Sequence, residues 1–261
     1  TDRAHIPDLI AALFQTPNAA RNRVALLRWE CPNGTVEDLE VGFIMFLYFI
    51  SFPRKLFAMQ EKFGRDYSQI SRILKAIWQH MNQTWGWLVT NNLDYFSARL
   101  PRYNEAFRAK YHQMHGEPVS PRFRQVGLLT DGTKLEICSS LQHNYSGHKH
   151  IYCLSFLLTT GMDGMVVEAF GALVGSDNDH HMQNASNLGN RLLMAQAHRG
   201  PGVPLFQTGS DKGLHPALCV APMHNNAFNT PAQDLENTMF SSLRASNEWD
   251  MGRPKHLFKF I

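Results

Sequence analysis

The sequence predicts an α/β protein in which an all-helical N-terminal region precedes a mixed sheet with flanking helices. Three observations lead to this prediction. Apolar residues recur at helical spacing in the first half, short apolar segments separated by glycine turns fill residues 122–222, and a long helical segment follows them. Two prolines and a glycine within residues 114–122 mark a boundary. We therefore assign residues 1–120 to the helical region and residues 121–261 to the sheet domain.

Composition excludes several classes of protein without selecting one. The 261 residues are 44% hydrophobic, which is ample for a core, and the net charge of +3 permits nucleic-acid binding without requiring it. The four cysteines include no CxxC pair, so a zinc ribbon and a thioredoxin motif are excluded, and we expect reduced thiols. The most apolar stretch, residues 41–51, is about half the ~20 residues that a membrane span needs, so no membrane partner is expected.

The helical half contains a helix–turn–helix pattern. A helix is expected to begin near Thr35 and to end before Pro53, and a second to cover residues 54–63. Gly64, Arg65 and Asp66 then form a turn, and a third helix begins near Tyr67. The third helix carries one apolar face, formed by Ile70, Ile73, Leu74, Ile77, Trp78 and Met81.

This pattern has two interpretations. The helices are either a packed core with a solvated outer face, or a DNA-binding helix-turn-helix whose last helix enters a groove. In the second case the groove-facing residues are Ser68, Gln69, Arg72 and Lys75. Three tryptophans are expected to lie in the core rather than to stack on bases: Trp78, Trp85 and Trp87.

The second half predicts five strands and two helical segments. Residues 125–137 form a strand that we expect to be broken at Asp131-Gly132, because Asp-Gly is a strong turn signal. Further strands are expected over residues 150–159, 165–174, 204–209 and 218–222, with helices over 184–197 and 233–250.

Three acidic residues stand where a carboxylate is costly unless it is used. Asp131 follows an apolar strand, Asp211 follows a later strand, and Glu248 lies late in the last helix. Ligands of open α/β sheets bind at strand ends, and converging carboxylates repel one another unless cations neutralise them. Oxygen ligands of this kind suit Mg²⁺ or Mn²⁺. Asp179 is either an additional ligand or the N-cap of the helix that follows it.

The motifs around these acids resemble those of the PIF/Harbinger transposase family, which includes Harbinger transposase-derived nucleases. The similar segments are Asp131-Gly132-Thr133, Asp211-Lys212-Gly213, and Asn247-Glu248-Trp249 followed by Gly252-Arg253-Pro254-Lys255. The interval between Asp211 and Glu248 is typical of DDE transposases. Upstream, Phe52-Pro53, Phe63-Gly64 and residues 71–73 are similar to the family's helical region, and residues 175–182 resemble another of its blocks.

The resemblance implies an RNase H-like DDE nuclease domain that cuts DNA with two divalent metals, Mg²⁺ or Mn²⁺. Asp131 would bridge both metals, and Asp211 and Glu248 would each complete one site. Basic residues that flank the triad would hold phosphates: Lys134, Lys212, Arg244, Arg253 and Lys255. The family also implies a nuclear location and a separate Myb-like DNA-binding partner, whereas the sequence leaves open whether the protein is an oligomer.

An alternative function stays open beside the nuclease. Leu214 stands where the family has tyrosine, and Pro254 stands where it has leucine and is expected to end or kink the last helix. A domesticated or decayed copy would keep the fold as a DNA-binding or protein-interaction module without the chemistry.

Overall fold

A computed structural model describes residues 5–14, 28–31, 34–51, 55–90, 92–138, 140–200, 202–210, 219–222 and 229–257. Within these ranges the side chains of residues 28, 29, 179, 180 and 246–257 are not described. The chain divides into two compact units. The first comprises Thr1–Trp87 with Pro254–Ile261, and the second comprises Leu88–Arg253.

The first unit is mainly helical. Its elements are α1 (Ile6–Leu13), β1 (Arg28–Glu30), β2 (Val36–Asp38), α2 (Leu39–Ser51), α3 (Leu56–Phe63) and α4 (Tyr67–Trp85). The core of this unit contains Phe43, Met45, Met59, Ile70 and Ile73, which are almost fully buried. The expectation that α2 begins near Thr35 is wrong, because residues 36–38 pair with β1 instead. The carboxylate of Asp38 then accepts a hydrogen bond from the Glu40 amide at 2.9 Å as the helix starts.

A tight turn joins α3 to α4 at the predicted position. Gly64 adopts a left-handed conformation (φ 62°), and Asp66 caps α4 by accepting from the Ser68 amide at 2.8 Å. Between them, Arg65 donates to the buried carboxylate of Glu37 on β2, with Nε–Oε2 2.7 Å. Burial alone would raise the pKa of Glu37, but hydrogen bonds from Arg65 and from the Asp38 amide hold it below its usual value.

The tryptophans do not form the expected core. Trp78 is 59% exposed and Trp87 is 49% exposed. Trp85 is half-buried, and its indole donates to the Leu13 carbonyl at 2.7 Å. Trp78 lies at the edge of the apolar face of α4, where its ring contacts Phe46 with 6.1 Å between the centroids.

The second unit is built on a mixed sheet, which confirms the α/β prediction. Helices α5 (Trp87–Thr90), α6 (Leu93–Ser97) and α7 (Leu100–His115) precede it. The strands are β3 (Val126–Glu136), β4 (Tyr145–Ser146), β5 (Ile151–Gly161), β6 (Val166–Val174), β7 (Gln207–Gly209) and β8 (Cys219–Val220). Across the sheet the order is β6-β5-β3-β7-β8, with β4 pairing the start of β5. β5 is antiparallel to β6 and β3, whereas β3, β7 and β8 are parallel.

Helices cover both faces of this sheet. α8 (Asp179–Ser186) and α9 (Leu188–Ala195) connect β6 to β7, and α10 (Pro231–Leu257) follows β8. Leu128 of β3 packs with Leu188 and Leu192 on one face, whereas Leu129 packs with Phe107 and Phe240 on the other. This arrangement follows from the alternation of side chains along a strand. The helix α10 continues to Leu257, so Pro254 does not end it.

One feature of β3 differs from the prediction. The strand is not broken at Asp131-Gly132, because its pairing with β5 runs without interruption from Leu128↔Gly161 to Glu136↔Cys153. Helix α7 belongs to the second compact unit, which begins at Leu88. α7 packs on β3, where Asn104 donates to the carbonyls of Arg124 (2.9 Å) and Val126 (2.7 Å). No described helix is both long and apolar enough to cross a bilayer.

Candidate active site around Asp131

Asp131 lies near the middle of β3, the central strand of the sheet. It pairs with Leu158 of β5, and its carboxylate accepts a hydrogen bond from the Gly132 amide at 3.0 Å. By strand alternation its side chain lies on the same face as Leu129, which is the face covered by α7 and α10. The side chain is 21% exposed. Asp131 therefore stands where β3 changes from its buried first half, residues 126–130, to a half-buried second half.

The described ion-pair partner of this carboxylate is Arg244 of α10. The distance from Arg244 Nη2 to Asp131 Oδ1 is 3.6 Å, and only 11% of the Arg244 side chain is exposed. Because a buried guanidinium is costly without a counter-charge, each group stabilises the other. The pair fixes which side of α10 lies towards Asp131.

The two other predicted acids cannot be measured against Asp131. Asp211 lies outside the described residues, and so does the side chain of Glu248, whose backbone belongs to α10. The described chain reaches Ser210, directly after β7, whose last pair is Gly209 with Leu129 of β3. Within the described residues, no three His, Cys, Asp or Glu side chains converge to hold a metal ion.

A row of buried hydroxyl groups lies on the opposite face of the sheet. The Thr130 hydroxyl is 2.6 Å from that of Thr208 on β7 and 3.0 Å from that of Thr159 on β5. All three residues are at most 1% exposed. The row links the three central strands immediately beside Asp131. Threonine is common in strands whether or not its hydroxyl is bonded across the sheet, so the row could not be predicted from residue type alone.

A buried ion pair that was not predicted from the sequence lies beside this row. Glu168 of β6 pairs in register with Thr159 and accepts a hydrogen bond from Arg191 of α9. Burial raises the pKa of Glu168, and the hydrogen bond and charge of Arg191 oppose that rise. Its second oxygen, Oε2, makes no hydrogen bond to any described residue. The sequence does carry a signal for this pair, because Glu168 is an acid inside the apolar segment Val166–Val174.

Lys134 does not lie beside Asp131 as a phosphate ligand would. It occupies the alternate face of β3, where its ammonium donates to the Gly175 carbonyl at 2.7 Å and to Ser155 Oγ at 3.2 Å. A third contact reaches the Asp177 carbonyl at 3.3 Å. Lys134 therefore holds the segment after β6 to the sheet.

The remaining predicted residues are only partly described. Asn178, not Asp179, caps α8, with its side chain accepting from the His181 amide at 2.8 Å. The side chain of Asp179 lies outside the described residues, as do the whole of Lys212 and the side chains of Arg253 and Lys255.

In the first unit, the predicted groove-facing residues lie on α4. Arg72 and Lys75 are exposed, whereas Ser68 and Gln69 are half-buried. Ser68 is also engaged at the helix start, since both its amide and its hydroxyl donate to the Asp66 carboxylate. Arg72 and Lys75 are therefore the members of the set best placed to meet an anion.

Comparison with known proteins found no family model, no curated protein and no solved structure that matches the chain.

Proposed function

We propose that this protein is a divalent-metal-dependent DNA endonuclease or transposase with an RNase H-like catalytic domain. The observation that carries the proposal is Asp131, a partly exposed carboxylate at the centre of the sheet and opposite the last helix. A carboxylate at this position on a strand is better suited to bind a metal ion than to pack in an apolar core.

The topology of the sheet supports the RNase H-like assignment. Three sequential antiparallel strands, β3, β5 and β6, are followed by two strands that add in parallel on the other side of β3. The helices α8 and α9 form the crossover, and α10 closes the unit. In this order β3 and β7 are neighbours in the sheet.

Chain connectivity supports the involvement of the other two acids. Asp211 is the next residue after Ser210, which directly follows β7. Gly209 pairs with Leu129, two positions before Asp131. Glu248 follows Arg244 by four residues in the sequence of α10.

Carboxylate oxygens fit a Mg²⁺ or Mn²⁺ ion, and the partial exposure of Asp131 leaves its carboxylate accessible to one. Asp131, Asp211 and Glu248 would hold the metal, with Asp179 as an additional candidate. When bound, divalent metals of such sites activate water and stabilise the leaving oxygen of a phosphodiester. The chain itself contributes the rigid placement of Asp131, through the unbroken β3–β5 ladder and the threonine row behind it.

Cleavage of a supercoiled plasmid with Mg²⁺ or Mn²⁺ tests this function. Asp131→Asn should abolish nicking, since the amide keeps the shape of the side chain but loses the charge that binds a cation. Glu136→Gln is the matched control, because Glu136 is an exposed acid on the same strand. Metal-dependent nicking that survives in Asp131→Asn would refute the catalytic assignment.

The ion pair between Arg244 and Asp131 favours a second candidate function. A carboxylate neutralised by a buried guanidinium is also what a domesticated or decayed module would retain for stability. Such a protein would bind duplex DNA or a Myb-like partner, and it would act in the nucleus without cutting. Duplex binding that depends on Arg72 and Lys75, with no nicking under either metal, would select this candidate.

A further inference from the structure

The two faces of β5 differ sharply in how well they are covered. On one face the side chains are at most 1% exposed, and they belong to Cys153, Ser155, Leu157 and Thr159. On the other face the side chains are half-buried or exposed, and they belong to Tyr152, Leu154, Phe156 and Leu158. We call this second set the open face of β5. A strand with one solvated face usually places polar residues there, so an apolar series at these positions marks a binding surface.

The open face lies on the same side of the sheet as Asp131. Leu158 is the register partner of Asp131, and the β3–β5 ladder continues without a shift to Glu136↔Cys153. Alternation along β5 therefore keeps Tyr152 on this side as well. The distance from Leu158 to Tyr152 is about 20 Å, at about 3.3 Å per residue of strand.

A second tyrosine enlarges the open face at the end furthest from Asp131. Tyr145 of β4 pairs directly with Tyr152, so the two side chains lie on one side of the β4–β5 hairpin. Their ring centroids are 5.2 Å apart, and each residue is 36% exposed. The Tyr145 hydroxyl also lies 3.2 Å from His150 Nδ1. The hairpin thus presents two aromatic rings in a fixed arrangement.

The charge around the hairpin suits a polyanion. The sequence contains no acidic residue between Glu136 and Asp163. The hairpin and its approach instead carry four exposed basic side chains, which are His143, His148, Lys149 and His150. The base of the hairpin is held to the segment after β6, because the Ser176 amide donates to the His143 carbonyl at 3.3 Å.

We infer that the open face and the β4–β5 hairpin bind a single-stranded segment of DNA, with bases stacked on Tyr145 and Tyr152 and a phosphate beside Lys149. Aromatic rings next to basic groups are the usual means of holding single strands, since a ring can stack on a base that is not already paired. About six stacked nucleotides, at about 3.4 Å each, span the distance from Tyr152 to the level of Asp131. The inference deepens the proposed function by naming the form of DNA, and it rests on that function for the identity of the polymer.

Fluorescence anisotropy of a labelled thymidine oligonucleotide of about 12 nucleotides, on the full chain and without divalent metal, tests the inference. Tyr152→Leu should weaken binding at least about fivefold, because it removes a stacking ring but keeps apolar bulk. Tyr152→Phe keeps the ring and should bind like the unmodified protein. Tyr145→Leu repeats the test at a second position if Tyr152→Leu fails to fold. Tyr95→Leu is the matched control, since Tyr95 is a 54% exposed tyrosine of α6 in the same unit.

The outcomes separate this inference from the nuclease function. Weaker binding in the two leucine variants of the hairpin, but not in Tyr152→Phe or Tyr95→Leu, supports the inference even if the protein never nicks DNA. Equal affinity in all variants, or no binding by the unmodified protein, overturns it and assigns the open face to a protein partner. Because this assay contains no metal, nicking that depends on Asp131 would still support the catalytic assignment in that case.

Discussion

Glu168 is a buried acid on the face of the sheet opposite Asp131. It is 2% exposed, its partner Arg191 satisfies one carboxylate oxygen, and the other oxygen has no hydrogen bond among the described residues. Leaving a carboxylate oxygen unsatisfied in the interior disfavours its charged form. Burial accordingly raises the pKa of Glu168 above the usual 4.5.

The raised pKa of Glu168 predicts a specific dependence of stability on pH. The folded state holds this proton more tightly than the unfolded state, so the stabilisation is complete below pH 4.5. It is lost as the pH rises through the folded-state pKa, by about 1.4 kcal/mol per pH unit between the two values. In Glu168→Gln this decline should disappear. Denaturant unfolding at a series of pH values measures it.

The control for this measurement is Glu136→Gln, which alters an exposed glutamate of the same sheet. It should keep the decline of the unmodified protein. An identical pH profile in Glu168→Gln and the unmodified protein would mean that Glu168 is charged alike in the folded and unfolded states.

The candidate site depends on how helix α10 packs on the sheet. A Cβ atom added at Gly209 would meet Phe240 Cζ at 2.7 Å and Leu129 Cδ2 at 2.9 Å. Phe240 also stacks on Phe123, with 4.1 Å between the ring centroids. Gly209 therefore lets α10 approach β7 closely, and the same helix carries Arg244 towards Asp131.

Gly209→Ala should consequently destabilise the protein by about 1–3 kcal/mol, because the added methyl overpacks a rigid aromatic contact. Thermal unfolding gives the difference. Gly147→Ala is the matched control, since a Cβ atom there meets nothing within 4 Å. If the two substitutions had equal effects, close packing of α10 would not be the reason for glycine at position 209.

Helices and strands were predictable where the spacing of apolar residues and the turn-forming residues indicated the same boundaries. The apolar positions of α4 and the Gly64 turn come directly from local preferences, and so do the strands β5 and β6. Prediction failed where pairing overrode a local signal. Asp131-Gly132 is a turn signal in isolation, but the ladder with β5 keeps it extended, and pairing with β1 delays the start of α2.

The candidate site was predictable to a different extent. Asp131 could be found as an acid within an apolar strand, and the structure places it at the centre of the sheet. Arg244 is expected beside the triad as a phosphate ligand, whereas the structure pairs its guanidinium with the Asp131 carboxylate through tertiary packing. Lys134 is expected to flank the triad, but β3 is unbroken, and alternation along it puts Lys134 on the other face from Asp131.

At the scale of the whole molecule, the two units present different chemistry. The second unit contains Asp131, Arg244 and the buried polar row. The first contains α4, whose exposed side carries Arg72 and Lys75. A net charge of +3 is too small to attract DNA over the whole surface, so any DNA affinity has to come from such local groups.

This division predicts the salt dependence of DNA binding. If Arg72 and Lys75 each contact a phosphate, Arg72→Ala with Lys75→Ala should lower the slope of log affinity against log salt by about 2 in magnitude. Fluorescence anisotropy on a random-sequence duplex, at about 50–200 mM salt, provides the slope. Arg102→Ala with Arg108→Ala is the charge-matched control, because both arginines are exposed on α7 of the second unit. An equal loss of slope in the control would assign binding to overall charge rather than to α4, and the helix-turn-helix interpretation would then fail.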